Sequence, residues 1–145
     1  MKRAAVLVLA AGLSAGALAD DSAFTSGGDL GSAGGAEIYG RICQGCHMPG
    51  GQGAVGAGHY PKLAGNPALV SWQYAALTVL NGKNGMPPFG LPADQVMETR
   101  AVHLSDAQIA DVVNFVRSNF GNHRKDKATA QQVAALQHPG GTESH

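Results

Sequence analysis

The stretch Cys43-Gln44-Gly45-Cys46-His47 contains two thiols, separated by two residues and followed directly by a histidine. This spacing is typical of a c-type haem attachment site, in which each cysteine sulfur adds to one haem vinyl group and the histidine binds the iron. Cys43 and Cys46 are the two cysteines of the chain, so the motif uses every thiol. The sequence therefore predicts one covalently attached haem c, with His47 as the proximal iron ligand.

Other uses of a Cys-x-x-Cys motif fit this sequence less well. A structural zinc site needs four ligands, but the sequence has no second cysteine pair and no two other histidines three to five residues apart. A thioredoxin-type motif would stand beside a strand–helix–strand pattern, and the sequence has no convincing β-strand run. A disulfide across two residues would be strained and would not require the adjacent histidine. Haem attachment is the preferred interpretation, and it points to electron transfer.

The N-terminal residues have the order of features that is typical of an export signal. Lys2 and Arg3 form a positive region, residues 4–11 are apolar, and Ala17-Leu18-Ala19 matches an A-x-A cleavage pattern. The apolar run is too short for a membrane span. We therefore predict a cleaved signal peptide over residues 1–19, a periplasmic protein, and no stable membrane insertion after cleavage. An uncleaved N-terminal anchor is the alternative.

Charge and composition exclude some classes of partner. Without Lys2 and Arg3, eight basic residues remain against ten acidic ones, so the mature chain is slightly acidic. This balance argues against nucleic-acid binding and against a strongly basic docking face. The 21 glycines of the chain imply extensive loops, with the haem replacing much of the missing side-chain core.

Glycine, proline and capping residues divide the first two thirds of the chain. Residues 20–34 are rich in Asp, Ser, Gly and Ala, which predicts a flexible leader. A short helix is expected over about 35–44, followed by a glycine-rich loop over 48–65 that excludes a regular helix or a packed strand. A second helix is predicted to begin at Asn66-Pro67 and to end at Asn81-Gly82.

The last third of the chain has a stronger helix signal. Ser105 is the predicted N-cap, Gln108 completes a capping box, and Gly121 is the predicted end of the helix. The polar segment 122–145 is predicted to contain a small helix with its own capping pair, Thr129 and Gln132.

The haem iron needs a second axial ligand, or an open position for a substrate. Met86 is the best candidate, because it lies in a loop between glycine and Pro87-Pro88 that restricts its backbone. A thioether ligand raises the reduction potential relative to a second histidine. Met48 is too close to His47 to reach the other haem face. Met97 has no neighbouring prolines that would restrict its backbone as they do for Met86. We therefore predict His47 and Met86 as the axial pair.

The sequence contains several further motifs before and after the attachment site: Gly35, Tyr39, Pro61-x-Leu63-x-Gly65, Gly85-Met86-Pro87-Pro88-Phe89, Leu104-Ser105-Asp106 and Val113-Asn114-Phe115-Val116-Arg117. With them, the chain resembles a class I c-type cytochrome over about residues 35–121. The resemblance implies a small all-α fold of three to five helices wrapped around the haem. The signal peptide, the leader and the extension over 122–145 would lie outside this domain.

The resemblance also implies roles for single residues. Gly35 would let the first helix cross the last one closely, near Phe115. The carbonyl of Pro61 would accept a hydrogen bond from His47 Nδ1 and so orient the imidazole. Trp72 would either donate its indole N–H to a haem propionate or pack in the core, and these two alternatives stay open.

The remaining histidines are interpreted as surface residues. His59 lies in the loop before Pro61 and is a formal candidate for an iron ligand, but a solvated loop histidine is the simpler interpretation. The tail that begins at His138 is expected to be disordered. The other histidines of this group are His103, His123 and His145.

The end of the last helix and the extension are similar to the ends of cytochrome c domains in subunits of periplasmic alcohol, gluconate and aldehyde dehydrogenases. Those subunits often carry three haem domains, whereas this chain has one attachment site. The preferred hypothesis is a periplasmic one-electron carrier without catalytic residues, between a dehydrogenase or bc1-type donor and a terminal oxidase or reductase. A dedicated cytochrome subunit of a periplasmic dehydrogenase, docked through residues 122–145, is the first alternative. A haem peroxidase or sensor with an open distal site is the second.

Overall fold

The computed structural model of the chain describes residues 30–56, 58–92, 95–96 and 102–139. The predicted signal peptide, most of the leader, Met97 and His145 lie outside these ranges. The described residues are mainly helical, which confirms the predicted all-α class, and no described helix is long and apolar enough to cross a bilayer. The elements are α1 (Gly35–Ile38), a π-helical segment (Tyr39–Cys43), α2 (Gln44–His47), β1 (Ala54–Val55), β2 (His59–Tyr60), a 3₁₀ turn (Pro67–Val70), α3 (Trp72–Asn81), α4 (Asp106–Ser118) and α5 (Ala130–Ala134).

A small antiparallel hairpin lies inside the predicted glycine-rich loop. Ala54 pairs with Tyr60, and Val55 pairs with His59. Each strand is two residues long, and the hairpin is mostly exposed, so it has no buried face that would leave an alternating apolar pattern in the sequence. The hairpin was not predicted, but with two-residue, mostly exposed strands it is not the packed strand that the glycine-rich loop was expected to exclude. His59 is exposed, as predicted.

The first helical run crosses α4 at Gly35. A Cβ atom at this position would overlap the carbonyl oxygen of Asp111 and would lie 2.9 Å from Cβ of Phe115. One turn later, the ring of Tyr39 packs 5.7 Å from the ring of Phe115, centroid to centroid. The implied close crossing of the first and last helices is confirmed, and it requires a residue without a side chain at position 35.

Replacing Gly35 with alanine should therefore lower the free energy of unfolding by about 2–3 kcal/mol, because the new methyl group forces the two helices apart. Gly40→Ala is the matched control, since a Cβ atom at Gly40 meets no atom within 4 Å. Denaturant unfolding of the two variants measures the difference. Equal stability of the Gly35 and Gly40 variants would contradict the close crossing.

The predicted second helix is divided into a 3₁₀ turn and α3. Asn66 caps the turn and Ser71, in extended conformation, caps α3. Because the chain is extended at Ser71, the carbonyls of Leu69 and Val70 do not continue a helical hydrogen-bond ladder, and both accept hydrogen bonds from Arg117. The carbonyls at the break are therefore satisfied by a residue that is distant in sequence.

The predicted start of α4 is confirmed, but its predicted end is not. The Ser105 side chain and the Gln108 side chain form the expected reciprocal capping box. The helix ends at Ser118 rather than at Gly121, because the backbone leaves the helix before two residues of positive φ, Phe120 and Gly121. The chain then turns back along α4.

The segment after this turn packs on α4. The side chain of Asn114 donates to the carbonyl of Ala128 and accepts from its N–H, each at 2.8 Å. The predicted small helix is present as α5, with the Thr129 and Gln132 capping box. His138 Nε2 lies 2.7 Å from a carboxylate oxygen of Asp106. The expectation of a disordered, surface-exposed tail is therefore wrong for His138, which is half-buried. His103 and His123 are exposed, as predicted.

Replacing His138 with glutamine should lower the melting temperature more at about pH 5.5 than at about pH 8.5, on either side of the ordinary histidine pKa of about 6.5. The hydrogen bond with Asp106 raises the pKa of His138. The stabilisation is therefore full below the ordinary pKa, and it is lost as the pH rises through the raised value. Because the two side chains are 31% and 35% exposed, the effect should stay within ~1 kcal/mol. His59→Gln is the control, and an equal loss at both pH values would contradict the ion pair.

Candidate haem site

His47 is the last residue of α2, and its ring is held in one orientation. Its Nδ1 lies 2.9 Å from the carbonyl oxygen of Pro61, and the side chain is buried. Since a carbonyl only accepts, Nδ1 is the donor of this hydrogen bond, and in the neutral imidazole Nε2 then carries the lone pair. No described residue hydrogen-bonds to Nε2, so this nitrogen is available to a metal ion. The His47–Pro61 hydrogen bond that the resemblance implies is present.

Several hydrogen bonds hold the loop that contains Pro61. The N–H of Gly53 donates to the carbonyl of His47, and the N–H of Leu63 donates to the carbonyl of Gly51. The buried side chain of Asn122 donates to the carbonyl of Leu63 at 3.0 Å. Gly53 has φ of 68°, and a Cβ atom there would collide with the returning loop. The Pro61 carbonyl, which accepts the hydrogen bond from His47, therefore lies in a backbone segment that several hydrogen bonds hold in place.

The two thiols lie on the same helical run as His47. Cys46 and His47 lie three and four residues after Cys43, so each is a neighbour of Cys43 on the helix surface. Both thiols are free; Cys43 is half-buried and Cys46 is exposed. Burial is the main cause that raises the pKa of the Cys43 thiol to about 11, so this thiol is protonated at neutral pH. The two sulfurs and the imidazole are thus presented together.

An apolar cleft extends from this face of the helix to Met86. It encloses about 170 Å³ and opens to solvent beyond that. The polar side chains on its walls are few. The described residues that line it are Cys43, His47, Pro61, Leu63, Asn66, Ala68, Leu69, Tyr74, Ala75, Thr78, Val79, Met86, Phe89, Leu104, Val112, Val113 and Val116.

Met86 is held by a tight turn rather than by proline alone. Lys83 and Met86 exchange backbone hydrogen bonds of 3.1 and 2.9 Å. Between them, Asn84 and Gly85 have φ of 49° and 91°, the two positive values that a type I′ turn requires. The expected irregular loop therefore contains a regular turn. The Asn-Gly dipeptide is a known signal for this turn and would have allowed its prediction.

Comparison with known proteins agrees with this site. Residues 32–120 match the family model for cytochrome c. The chain belongs to the cytochrome c family. The predicted class I cytochrome c fold is therefore confirmed, and membership of the family implies a covalently bound haem c.

The cytochrome c chain is also similar to subunits of dehydrogenases. It is 36% identical over 115 residues to the cytochrome c subunit of the quinone alcohol dehydrogenase of Gluconacetobacter polyoxogenes, covering 78% of this chain and 24% of the subunit. It is 34% identical over 121 residues to the corresponding subunit of Gluconobacter oxydans (strain 621H), covering 82% and 25%. It is 34% identical over 117 residues to the gluconate 2-dehydrogenase cytochrome c subunit of Pantoea cypripedii, covering 77% and 25%. The chain thus spans about a quarter of the length of these relatives.

The described residues of this cytochrome c domain fit a haem c group. The cleft offers apolar walls to a flat ring, the thiol of Cys43 stands at one wall, and the exposed thiol of Cys46 lies on the same helical run. His47 presents a nitrogen lone pair, and Met86 presents a thioether to the same cleft. These are the donors that iron in a low-spin c-type cytochrome uses.

Trp72 does not line the cleft. It is the first residue of α3 and is half-buried against the hydrophobic core. Its indole N–H has no hydrogen-bond partner among the described residues. This placement matches the core-packing alternative, and a contact with a haem propionate stays a prediction.

Tyr74 and Lys83 form a contact at the cleft rim that sequence reasoning missed. Lys83 Nζ donates to the Tyr74 hydroxyl at 3.0 Å and also lies 5.0 Å from the centre of the ring. The hydrogen bond from Lys83 is the main cause that lowers the pKa of Tyr74. The contact joins α3 to the turn that carries Met86. Their nine-residue separation in sequence follows no helical spacing, so no pattern signalled it.

Proposed function

We propose that this cytochrome c binds one haem c through thioether bonds from Cys43 and Cys46, with His47 and Met86 as axial ligands, and transfers single electrons. One observation carries the proposal. The imidazole of His47, whose Nδ1–H donates a hydrogen bond to the Pro61 carbonyl, lines the same apolar cleft as the side chain of Met86.

The bound group supplies an iron that changes oxidation state by one electron. The chain supplies two candidate ligands that its own hydrogen bonds hold in place. His47 is held by the Pro61 carbonyl, and Met86 is held by the Lys83–Met86 backbone pair. A thioether has no proton to release at neutral pH, so a change of oxidation state needs no proton transfer at this ligand. If His47 and Met86 both held the iron, no open position would remain for a substrate, which favours a carrier over a catalyst.

Two physiological settings have similar support. A diffusing carrier would connect a dehydrogenase or a bc1-type complex to a terminal oxidase or reductase. A dedicated subunit would stay with one dehydrogenase, as the names of the relatives suggest. The predicted signal peptide over residues 1–19 supports a periplasmic location for either role. In both, we propose that residues 35–121 form the haem domain and that residues 122–145 extend it.

Absorption spectra of the protein, produced with a haem maturation system, test the haem site. We expect low-spin spectra in both oxidation states and the weak far-red ferric band of methionine–iron ligation. Carbon monoxide should not bind to the reduced protein at neutral pH. A high-spin ferric spectrum with rapid carbon monoxide binding would reject the carrier and favour a peroxidase or sensor.

Size-exclusion chromatography with a purified quinone-dependent alcohol dehydrogenase separates the two settings. A subunit should co-elute with the enzyme, whereas a diffusing carrier should elute alone and still be reduced. Because the charge of the chain is close to balanced, the rate of reduction should depend only weakly on salt. A steep fall of the rate with salt would contradict this last expectation.

A further inference from the structure

Arg117 is a buried cation that the proposed electron transfer does not use. Its side chain is 1% exposed, although it lies in the last turn of α4. A buried guanidinium is costly unless its donors are satisfied. Its hydrogen bonds go to the carbonyls of Leu69 and Val70, at 2.9 and 3.0 Å, and to the carbonyl and carboxylate of Asp126, at 2.7 and 2.8 Å.

These partners lie on two different parts of the molecule. Leu69 belongs to the 3₁₀ turn and is buried in the wall of the haem cleft. Asp126 belongs to the segment after α4, beyond the matched family region. The carbonyls at the end of the turn have lost their helical partners, because the chain is extended at Ser71. Arg117 donates hydrogen bonds to these two carbonyls and to Asp126, and so connects the wall of the haem cleft to the C-terminal segment.

We propose that Arg117 is a positioning residue of the haem cleft, through which the C-terminal segment 122–138 sets the packing of the cleft wall at Leu69. The inference rests on the proposed haem site. Only a planar guanidinium, with N–H groups on three nitrogens, can donate to all these acceptors together. A lysine has a single nitrogen and cannot reach all of them. Without the guanidinium, the wall loosens and water approaches the haem edge. Water stabilises the more highly charged ferric form, so the reduction potential falls.

Arg117→Lys tests this effect while it keeps the charge. At a fixed solution potential, the ratio of reduced to oxidised protein should fall by about threefold, which is about 30 mV at 59 mV per tenfold for one electron. On heating, the far-red methionine–iron band should disappear before the helical circular dichroism signal does. The Lys variant would overturn the proposal if its ratio equalled that of the parent and its two signals disappeared together.

Asn114→Ser is the matched control for a merely structural effect. It weakens the contact with Ala128 but leaves the Leu69 and Val70 carbonyls bonded to Arg117. We expect a lower melting temperature with an unchanged reduction potential. An equal fall of potential in the Ser and Lys variants would assign the effect to general loosening and overturn the proposal.

If the Lys variant does not fold, Asp126→Ala provides a second test. The Asp126 side chain is 61% exposed, so its removal should leave the fold intact. Hydrogen exchange of the holoprotein should increase in the segment 67–76 as well as near residue 126. Exchange that increases only near residue 126 would overturn the proposal. The parent spectrum separates this failure from failure of the haem site, since the site fails if the parent lacks the low-spin His/Met spectrum.

Discussion

Met86→Ala should abolish the far-red ferric band and give a high-spin haem that binds carbon monoxide when reduced. The thioether then no longer fills the distal position that we assign to it, and water or an added ligand takes its place. The reduction potential should fall by on the order of 0.1 V or more, within the ~0.8 V range that axial ligands cover. Absorption spectra, carbon monoxide titration and redox potentiometry measure the three effects.

Met48→Leu is the control for a general effect of losing a methionine. Met48 directly follows His47 at the end of α2, and its carbonyl accepts the Tyr39 hydroxyl at 2.6 Å. Leucine keeps this backbone contact and nearly the same volume, so the spectrum should not change. If the band persisted in Met86→Ala, the ligand assignment would be wrong, and Met97, which lies outside the described residues, would be tested next.

The parts of the site that sequence predicted are those set by local chemistry. Cys46 and His47 lie three and four residues after Cys43, so their closeness to Cys43 on one helical run follows from spacing alone. The capping boxes at Ser105 and Thr129 are also local patterns, and both are present. The His47–Pro61 hydrogen bond joins more distant residues and came from the resemblance.

The parts that sequence did not predict depend on distant partners. The helix expected from Asn66 breaks at Ser71, where the chain is extended, and Arg117 donates hydrogen bonds to the carbonyls of Leu69 and Val70. The nearest of these partners is 47 residues away from Arg117 in sequence. No periodicity in the neighbourhood of residue 70 carries this information.

His138 was misjudged for a similar reason. A segment of His, Pro and Gly near a chain end has the composition of a free tail. Its imidazole nevertheless meets Asp106, 32 residues earlier, at the start of α4. The composition of a segment predicts its behaviour in the absence of tertiary contacts. Here the residues before His138 pack on α4, and this packing places the imidazole beside Asp106.

Replacing both Cys43 and Cys46 with serine should abolish covalent haem attachment. Serine has nearly the shape of cysteine, but its hydroxyl does not add to a vinyl group under these conditions, so the vinyl groups stay intact. Acidified organic solvent should then extract the haem completely, and the pyridine haemochrome spectrum should change from the c type to the b type. Haem stain on a denaturing gel, which detects only attached haem, should be negative.

The same variant should also change how stability depends on haem. A tethered group is present at a very high effective concentration, so the parent should unfold at a temperature that is independent of added haem. In the double variant the haem is an ordinary ligand, and its contribution should follow RT ln(1 + [L]/Kd) and rise with added haem. The apolar walls of the cleft, formed by residues such as Leu69, Val79 and Val113, are exposed to water when the haem leaves.

The single variants Cys43→Ser and Cys46→Ser provide the internal control for this interpretation. Each retains one thiol, so each should keep one thioether bond and a positive haem stain, with a haemochrome maximum between the c and b types. Cys43 is half-buried beside the cleft and Cys46 is exposed, so loss of the Cys43 bond should also remove packing against the ring and lower stability more. If haem stayed attached in the double variant, a residue other than these two thiols would hold it, and the attachment site would have to be sought elsewhere in the chain.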